Sequence, residues 1–450
     1  MLSDTAVAAP PPTGPGRRRR RWMAAAAVIA ALLVAGGIVL AVRDVAPTSV
    51  NPPDFIAGPD PSTSSTSATR APTASASGTA SATAPATPSA SASVAPGDAL
   101  YVAPGNRQGS CREDDPCTVG RAFADLRDHP DSASGILLTA GDYGVLEIAA
   151  SSVTEDGRVL IGVADGADVS IDRLNVLSPN TTWTGITVTG VLYLRPSAVG
   201  TILDGVTVEQ GGLFVRSGDT VVRNSVFRDG SSLDGIQIGN GASGVRIENN
   251  VIRDYNQQGD TQYHSDCIQV FDASDVTIVG NRIANCSNAG IILSHGSGKG
   301  IDGLVIESNW VQGCVVRGDA CRGGSALDIR ESSAVGMVVR NNTVLNGSVR
   351  IGTQPDAVFD RNIIDYLSSC DSAMTNTIVQ RWNPGLCSQP DALGSNGNRM
   401  GEVPVADAVA GDLTPTDPAS VLISPVGGEP AAAGIDGSPL PADVAGASAG

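Results

Sequence analysis

Asp234 and Asp266 each stand just before a short alternating run, Gly235-Ile236-Gln237-Ile238 in one case and Cys267-Ile268-Gln269-Val270 in the other. If the two runs stack as neighbouring strands, Asp234 lies under Asp266 and Gln237 under Gln269. Two carboxylates held that close raise each other's proton affinity, which poises one of them as a general acid. His264 falls beside them, and Asp328 and Arg350 come further along the row of the Gln residues, with Arg330 two residues past Asp328. A row of Asp, Gln, Asp and Arg on a flat sheet offers many hydrogen-bonding groups to a sugar chain. Asp234, His264 and Asp266 are therefore the candidate catalytic residues, and Gln237, Gln269, Asp328 and Arg330 the candidate substrate-binding residues. The plainer reading of the same side chains is turn chemistry, with Asp before Gly at a corner and Gln on a solvated strand.

The elements that must position these residues are written five times between residues 234 and 364. The first phrase recurs as Gly290-Ile291-Ile292-Leu293, Ala326-Leu327-Asp328-Ile329 and Ser348-Val349-Arg350-Ile351. A second phrase follows each time, at 245–252, 276–283, 304–311, 337–344 and 357–364, and its sixth place is always Asn: Asn250, Asn281, Asn309, Asn342 and Asn362. Alternation within each phrase is the period of a strand with one buried face. A unit of about 22 residues, with two or three such strands and Gly or Asn at its corners, reads as one coil of a solenoid. The recurring Asn predicts an amide ladder, each side chain bonding to the next. Insertions at 253–266 and 312–325 enter at one corner of the coil and another at 295–302 enters at the opposite one. Together they would wall a groove over the first-phrase strands, and such insertions often mark a binding face.

The rest of the chain divides by composition. Residues 1–22 carry five arginines in a row at 17–21, and residues 23–42 carry no charged side chain, long enough to cross roughly 30 Å of hydrocarbon as a helix. The arginines place the N-terminus in the cytoplasm. The expectation is a single-pass cell-membrane protein with one transmembrane helix as signal anchor, the competing reading being a cleaved signal peptide. Residues 43–98 are rich in Ser, Thr, Ala and Pro and predict a disordered linker. A domain over residues 99–431 follows, with an amphipathic segment (Val119, Ala122, Phe123, Leu126) near its start and short alternating runs over 145–227 that read as earlier, less regular coils, and residues 432–450 read as a loose C-terminal tail.

Eight cysteines in an exported chain imply disulfides. Cys111 with Cys117, Cys314 with Cys321 and Cys370 with Cys387 are local pairs, which leaves Cys267 with Cys286; stacking offers Cys286 with Cys314 instead. The net charge is −17, and the positive charge of the basic tail makes the exterior part more acidic still. That argues against nucleic acid as a partner. It also makes an acidic polysaccharide hard to hold unless local arginines or a bound Ca²⁺ reverse the field; no other cofactor is implied. The one lysine, Lys299, stands in a Gly-rich loop and is a weak candidate for a lyase base.

The opening of the domain and its repeats resemble the right-handed parallel β-helix proteins of the pectin-lyase-like superfamily. The resemblance implies an all-β right-handed solenoid with a helical cap on its first coil. More narrowly, Leu233-Asp234-Gly235-Ile236, Ser265-Asp266-Cys267-Ile268 and Cys286-Ser287-Asn288-Ala289-Gly290 resemble the successive motifs of polygalacturonases. That implies a Cys267–Cys286 bond, catalytic roles for Asp234 and Asp266, and substrate contacts from Asp328 and Arg330. The sequence departs from those motifs at Ser265, where a third carboxylate is the proton donor, and at Ala289, where a His belongs, so hydrolysis is not implied. The expectation is a monomeric, membrane-anchored extracellular protein that binds and cleaves or modifies a polysaccharide, as a lyase or glycoside hydrolase if it is an enzyme. The alternative is a non-catalytic surface adhesin or structural module for a cell-wall glycan.

Overall fold

The computed structural model describes residues 94–448 except 106–107, 155–156, 258–263, 332, 355 and 386–394. The expected basic tail, transmembrane helix and nearly all of the linker lie outside the described residues, as does the partner that Cys370 was expected to find in Cys387. Among the described residues no helix is long and apolar enough to cross a membrane.

Three columns of short strands stack rung on rung, and nearly every pairing is parallel. One column runs through Leu213–Val215, Ile236–Ile238, Asp266–Val270, Ala289–Leu293 and Ser325–Ile329. The second phrase proves to be two strands on different faces, as in Arg246–Glu248 and Val251–Tyr255, because the chain turns sharply at the Asn between them. Parallel neighbours need a long connection between them, and here the rest of the coil supplies it. The expected register holds: Ile236, Ile268, Ile291, Leu327 and Val349 pair in sequence and all lie in one buried core. Each such side chain, fully buried, contributes roughly 1.5–3 kcal/mol.

The Asn corner is a continuous ladder. Asn250, Asn281 and Asn309 each donate Nδ2 to the Oδ1 of the next Asn at 3.0 Å, and Asn342 does the same to Asn362. Each Oδ1 also accepts the backbone N–H of the Asn before it, at 2.9–3.1 Å. The residue preceding each of these Asn has positive φ, as at Asn249, Gly280 and Asn341, the conformation that Gly and Asn tolerate best. The ladder continues past the Asn residues: Asn250 Oδ1 accepts from Ser225 N, Thr377 Oγ1 accepts from Asn362 N, and Asn398 Oδ1 accepts from Thr377 N.

The helix Val119–Asp128 starts at Thr118, whose side chain accepts from Arg121 N, and buries Ala122, Phe123 and Leu126 in the same core as the coils. Bonds join Cys111 to Cys117, Cys267 to Cys286 and Cys314 to Cys321, so the stacked alternative of Cys286 with Cys314 is not formed.

Both ends of the expected domain need correction. Val94 is buried against Tyr101 and Leu137, so the folded body already includes the last residues of the predicted linker. The predicted loose tail is packed: Val444, Ala445 and Ala447 are buried with Trp310, Ile363 and Ile378. Its backbone is tied to the outer side of the solenoid, Gly446 N donating to Arg361 O at 2.7 Å and Ala447 N to Thr343 Oγ1 at 3.1 Å. Arg361, itself buried, ion-pairs with Asp360 and donates to the carbonyls of Gly428 and Ala442. A segment of small residues reads as loose from composition, yet small residues are what can lie this close to another backbone.

Candidate active site

The first insertion returns to the solenoid at His264, and Asp266 then opens a strand whose inner residues enter the core. One rung below, Asp234 precedes Ile236–Ile238, and its Oδ1 accepts the backbone N–H of Asp266 at 2.9 Å. The carboxylate thereby satisfies a backbone donor at the start of the upper strand. Asp234 Oδ2 accepts from Gln237 Nε2 at 2.9 Å, and Gln237 Nε2 also reaches Gln269 Oε1 at 2.8 Å. Asp266 Oδ1 accepts from Asn288 Nδ2 at 2.8 Å, while Asp266 Oδ2 faces His264 Nε2 at 3.0 Å. Gln269 directs Nε2 to Ser294 Oγ at 3.0 Å, and Arg216 donates to Gln237 Oε1. Five of the seven predicted residues, Asp234, Gln237, His264, Asp266 and Gln269, thus form one network.

Burial divides their roles. Asp234 and Asp266 have no exposed surface, Gln237 and Gln269 are buried, and only the His264 side chain is substantially exposed, at 37%. Of the two candidates for proton transfer, His264 and Asp266, His264 is the one with exposed surface, and the carboxylates lie behind it. The two Gln amides hold the network rather than presenting free groups. Burial, and then the neighbouring Asp266 carboxylate, push Asp234 up to about 7. The hydrogen bond to Asp266 raises His264 to about 9 against the opposing effect of burial. The arrangement thus favours an imidazolium at neutral pH over a buried pair whose lower member, Asp234, is only partly ionised there, and that imidazolium is able to give up a proton or to stabilise negative charge developing on a bound ligand.

Asp328 and Arg330 stand apart from this network. Along the outward row Gln269 pairs with Ile292, and Ile292 with Asp328, which places Asp328 two rungs away, about 10 Å at the usual strand spacing. Arg330 grips Asp328 with two bonds of 2.8 Å, and Arg350 approaches it at 3.5 Å. Asp328 is buried and doubly paired, so it holds these arginines in place, and Arg330 is half exposed.

The less regular coils expected over residues 145–227 are present below this network, although none of their side chains is among the candidate site residues. There the outward row continues from Gln237 to Phe214 and Tyr193, whose rings stack at 4.9 Å, with Arg195 over Tyr193 and Arg216 over Phe214. Leu192–Leu194 and Leu213–Val215 alternate like the later strands, which was the available signal. Asn288 and Ser294 lacked any signal, because their roles depend on reach between rungs.

Asp234, His264 and Asp266 each offer one donor atom within 4.8 Å of the others, which is a metal-sized cluster. The donor set suits Ca²⁺ poorly. That ion takes six to eight oxygens, whereas this cluster supplies one nitrogen and two carboxylates of which both Asp234 oxygens and one Asp266 oxygen already accept N–H donors.

Residues 189–378 match the model of a family described as right handed beta helix region. The match is to right-handed coils, and the expected all-β parallel β-helix is the architecture observed. No curated protein matches the sequence. Among solved structures, a pectate lyase is similar at 14% identity and a TM-score of 0.34, over 77% of this chain and 88% of that one. The Dettilon tailspike protein is similar at 11% identity and a TM-score of 0.40, over 68% of this chain and 57% of the other. The A-module of an Azotobacter vinelandii mannuronan C-5 epimerase is similar at 15% identity and a TM-score of 0.33, over 58% and 94%. Likenesses this distant carry no argument about activity.

Proposed function

We propose that this chain binds a polysaccharide along the outward row of its first-phrase strands and acts on it with His264 as the group that meets the sugar. The observation that carries this is one partly exposed His held at 3.0 Å on a fully buried carboxylate. Asp266 orients and charges the ring, and Asp234 fixes the backbone beneath Asp266. Arg330, half exposed and held by Asp328, binds hydroxyl or carboxylate groups further along the row. The helix Val119–Asp128 serves as cap of the first coil. In the same reading residues 23–42 anchor the chain in the cell membrane, with the N-terminus cytoplasmic, and the Ser/Thr/Ala/Pro-rich stretch holds a monomeric domain away from the bilayer.

The test is a screen of the full chain against a polysaccharide panel, read by ultraviolet absorbance for unsaturated ends and by reducing sugar. Turnover lost in His264→Ala supports the reading. Binding without turnover on every substrate leaves a glycan-binding surface module, and turnover retained in His264→Ala moves the chemistry elsewhere.

A further inference from the structure

A cleft of about 540 Å³ opens between the second insertion and the last coils, away from His264. The 314–321 disulfide staples that insertion, and Arg317 from it, Arg350 from the outward row and Arg381 from a later coil line the cleft together with Asp365 and Tyr366. Three arginines against one aspartate leave two positive charges here, in a chain whose net charge is −17. Arg381 is tied to Asp365 by bonds of 2.8 and 2.9 Å and lies over the Tyr366 ring at 5.6 Å, so it is held in place. Arg350 reaches only a carboxylate oxygen, at 3.5 Å, of an Asp328 that Arg330 already grips, and Arg317 makes no ion pair among the described residues. Two guanidinium groups are thus left with donors to offer.

We infer that this cleft is a binding subsite for an oxyanion on a glycan, a carboxylate, sulfate or phosphate group. The guanidinium fork matches such groups in pairs of parallel hydrogen bonds. From Gln269 the outward row passes through Ile292 and Asp328 to Arg350, three rungs or about 14 Å away. A single extended chain can therefore run from His264 to the cleft. The inference rests on the proposed glycan binding and adds the charge of the glycan. Locally reversed charge also answers how so acidic a protein holds an acidic polymer.

The test measures binding of size-matched oligosaccharides to the full chain by calorimetry: a uronic-acid oligomer, its methyl ester, a sulfated, a phosphorylated and a neutral one. At least one anionic oligomer should bind ten-fold or more tightly than the ester and the neutral chain. Arg317→Gln and Arg350→Gln should each weaken it about ten-fold, the loss expected for a charged hydrogen bond. Arg317→Lys, which keeps the charge and loses the fork, should recover part of that. Which anionic oligomer wins identifies the oxyanion. Equal affinity for acid and ester, or unchanged affinity in Arg317→Gln with its fold intact by circular dichroism, overturns the inference. The two readings fail separately: turnover unaffected in His264→Ala would sink the proton-transfer role and leave the cleft standing. Turnover on neutral glycans alone would do the reverse.

Discussion

Two corners of the coil are built from stacked side chains, and they differ in one respect. At the ladder corner the same residue with the same partners returns on rung after rung, from Asn250 to Asn362. At the other corner the stacked positions change each time, Asp266 pairing with Ala289 and Ala289 with Ser325, with Asp234 below them. Repetition is what a solenoid needs for stability, since each rung contributes a similar interface. A departure confined to one or two rungs contributes nothing to the repeat and has to be explained by something else. Two buried carboxylates under one exposed imidazole are costly to bury, and they are the place where the molecule breaks its own rule.

The largest effect separating the corners should be on turnover. His264→Ala should lower kcat by about 10²–10⁴, the usual range for a lost proton-transfer group, beyond what its loss of stability explains, since it also leaves the buried Asp266 carboxylate unpaired. Asp266→Asn sharpens the test through pH. Wild-type activity that needs the imidazolium should fall as pH rises through about 9. Without the Asp266 charge that limb should move down toward the ordinary His value of about 6.5. An unmoved limb would mean that the imidazolium is not the group being titrated.

At the ladder corner the effect should fall on stability instead. Asn281→Ala removes the acceptor for Asn250 N and the donor to Ile247 O, both buried. At about 1–3 kcal/mol for each unmet group, the cost is roughly 2–6 kcal/mol. The thermal midpoint should drop while turnover per folded molecule stays at the wild-type level. A loss of turnover as large as that of His264→Ala would erase the distinction between the corners.

Legibility followed the same line. The core column and the Asn ladder could be read from sequence because the same residue types return at a fixed period. The ladder's ends could not, since Ser225, Thr377 and Asn398 keep the task of accepting an N–H from the preceding coil with different side chains or outside the regular repeats. At the site, stacking Asp234 under Asp266 was legible from the register. The burial of both was not, because the groups that complete their surroundings, Arg216, Asn288 and Ser294, come from other rungs and carry no periodic mark.

Stability against pH should show the cost of the broken rule. Asp234 binds its proton more tightly when folded, from the ordinary value near 4 up to about 7, so stability should fall as pH rises through that window. His264 is also raised, so its contribution is fully present below about 6.5 and lost as pH rises through about 9. The two slopes have the same sign. Denaturant midpoints measured from pH 4 to 10 should therefore decline, with Asp234→Asn flattening the lower part and His264→Ala the upper. A rising midpoint over either window would contradict the arrangement of charges described here.

The smallest expected effect is at the far end of the ladder. Thr377 Oγ1 accepts Asn362 N at 3.3 Å and donates to Thr375 O, whereas an Asn in the regular rungs accepts both the backbone and the side-chain N–H of its predecessor. Thr377→Asn restores the repeating residue, and its amide would reach Asn362 Nδ2 as well as Asn362 N. Asn398 Oδ1 would still accept from residue 377, since that bond uses the backbone. The gain is one net hydrogen bond, about 0.5–1.5 kcal/mol, reduced by the entropy of ordering a longer side chain. A thermal midpoint raised by a degree or two supports the view that the ladder is generic and extensible. A clear drop would show that this corner is shaped for a β-branched side chain, and that even the repeating corner is read rung by rung.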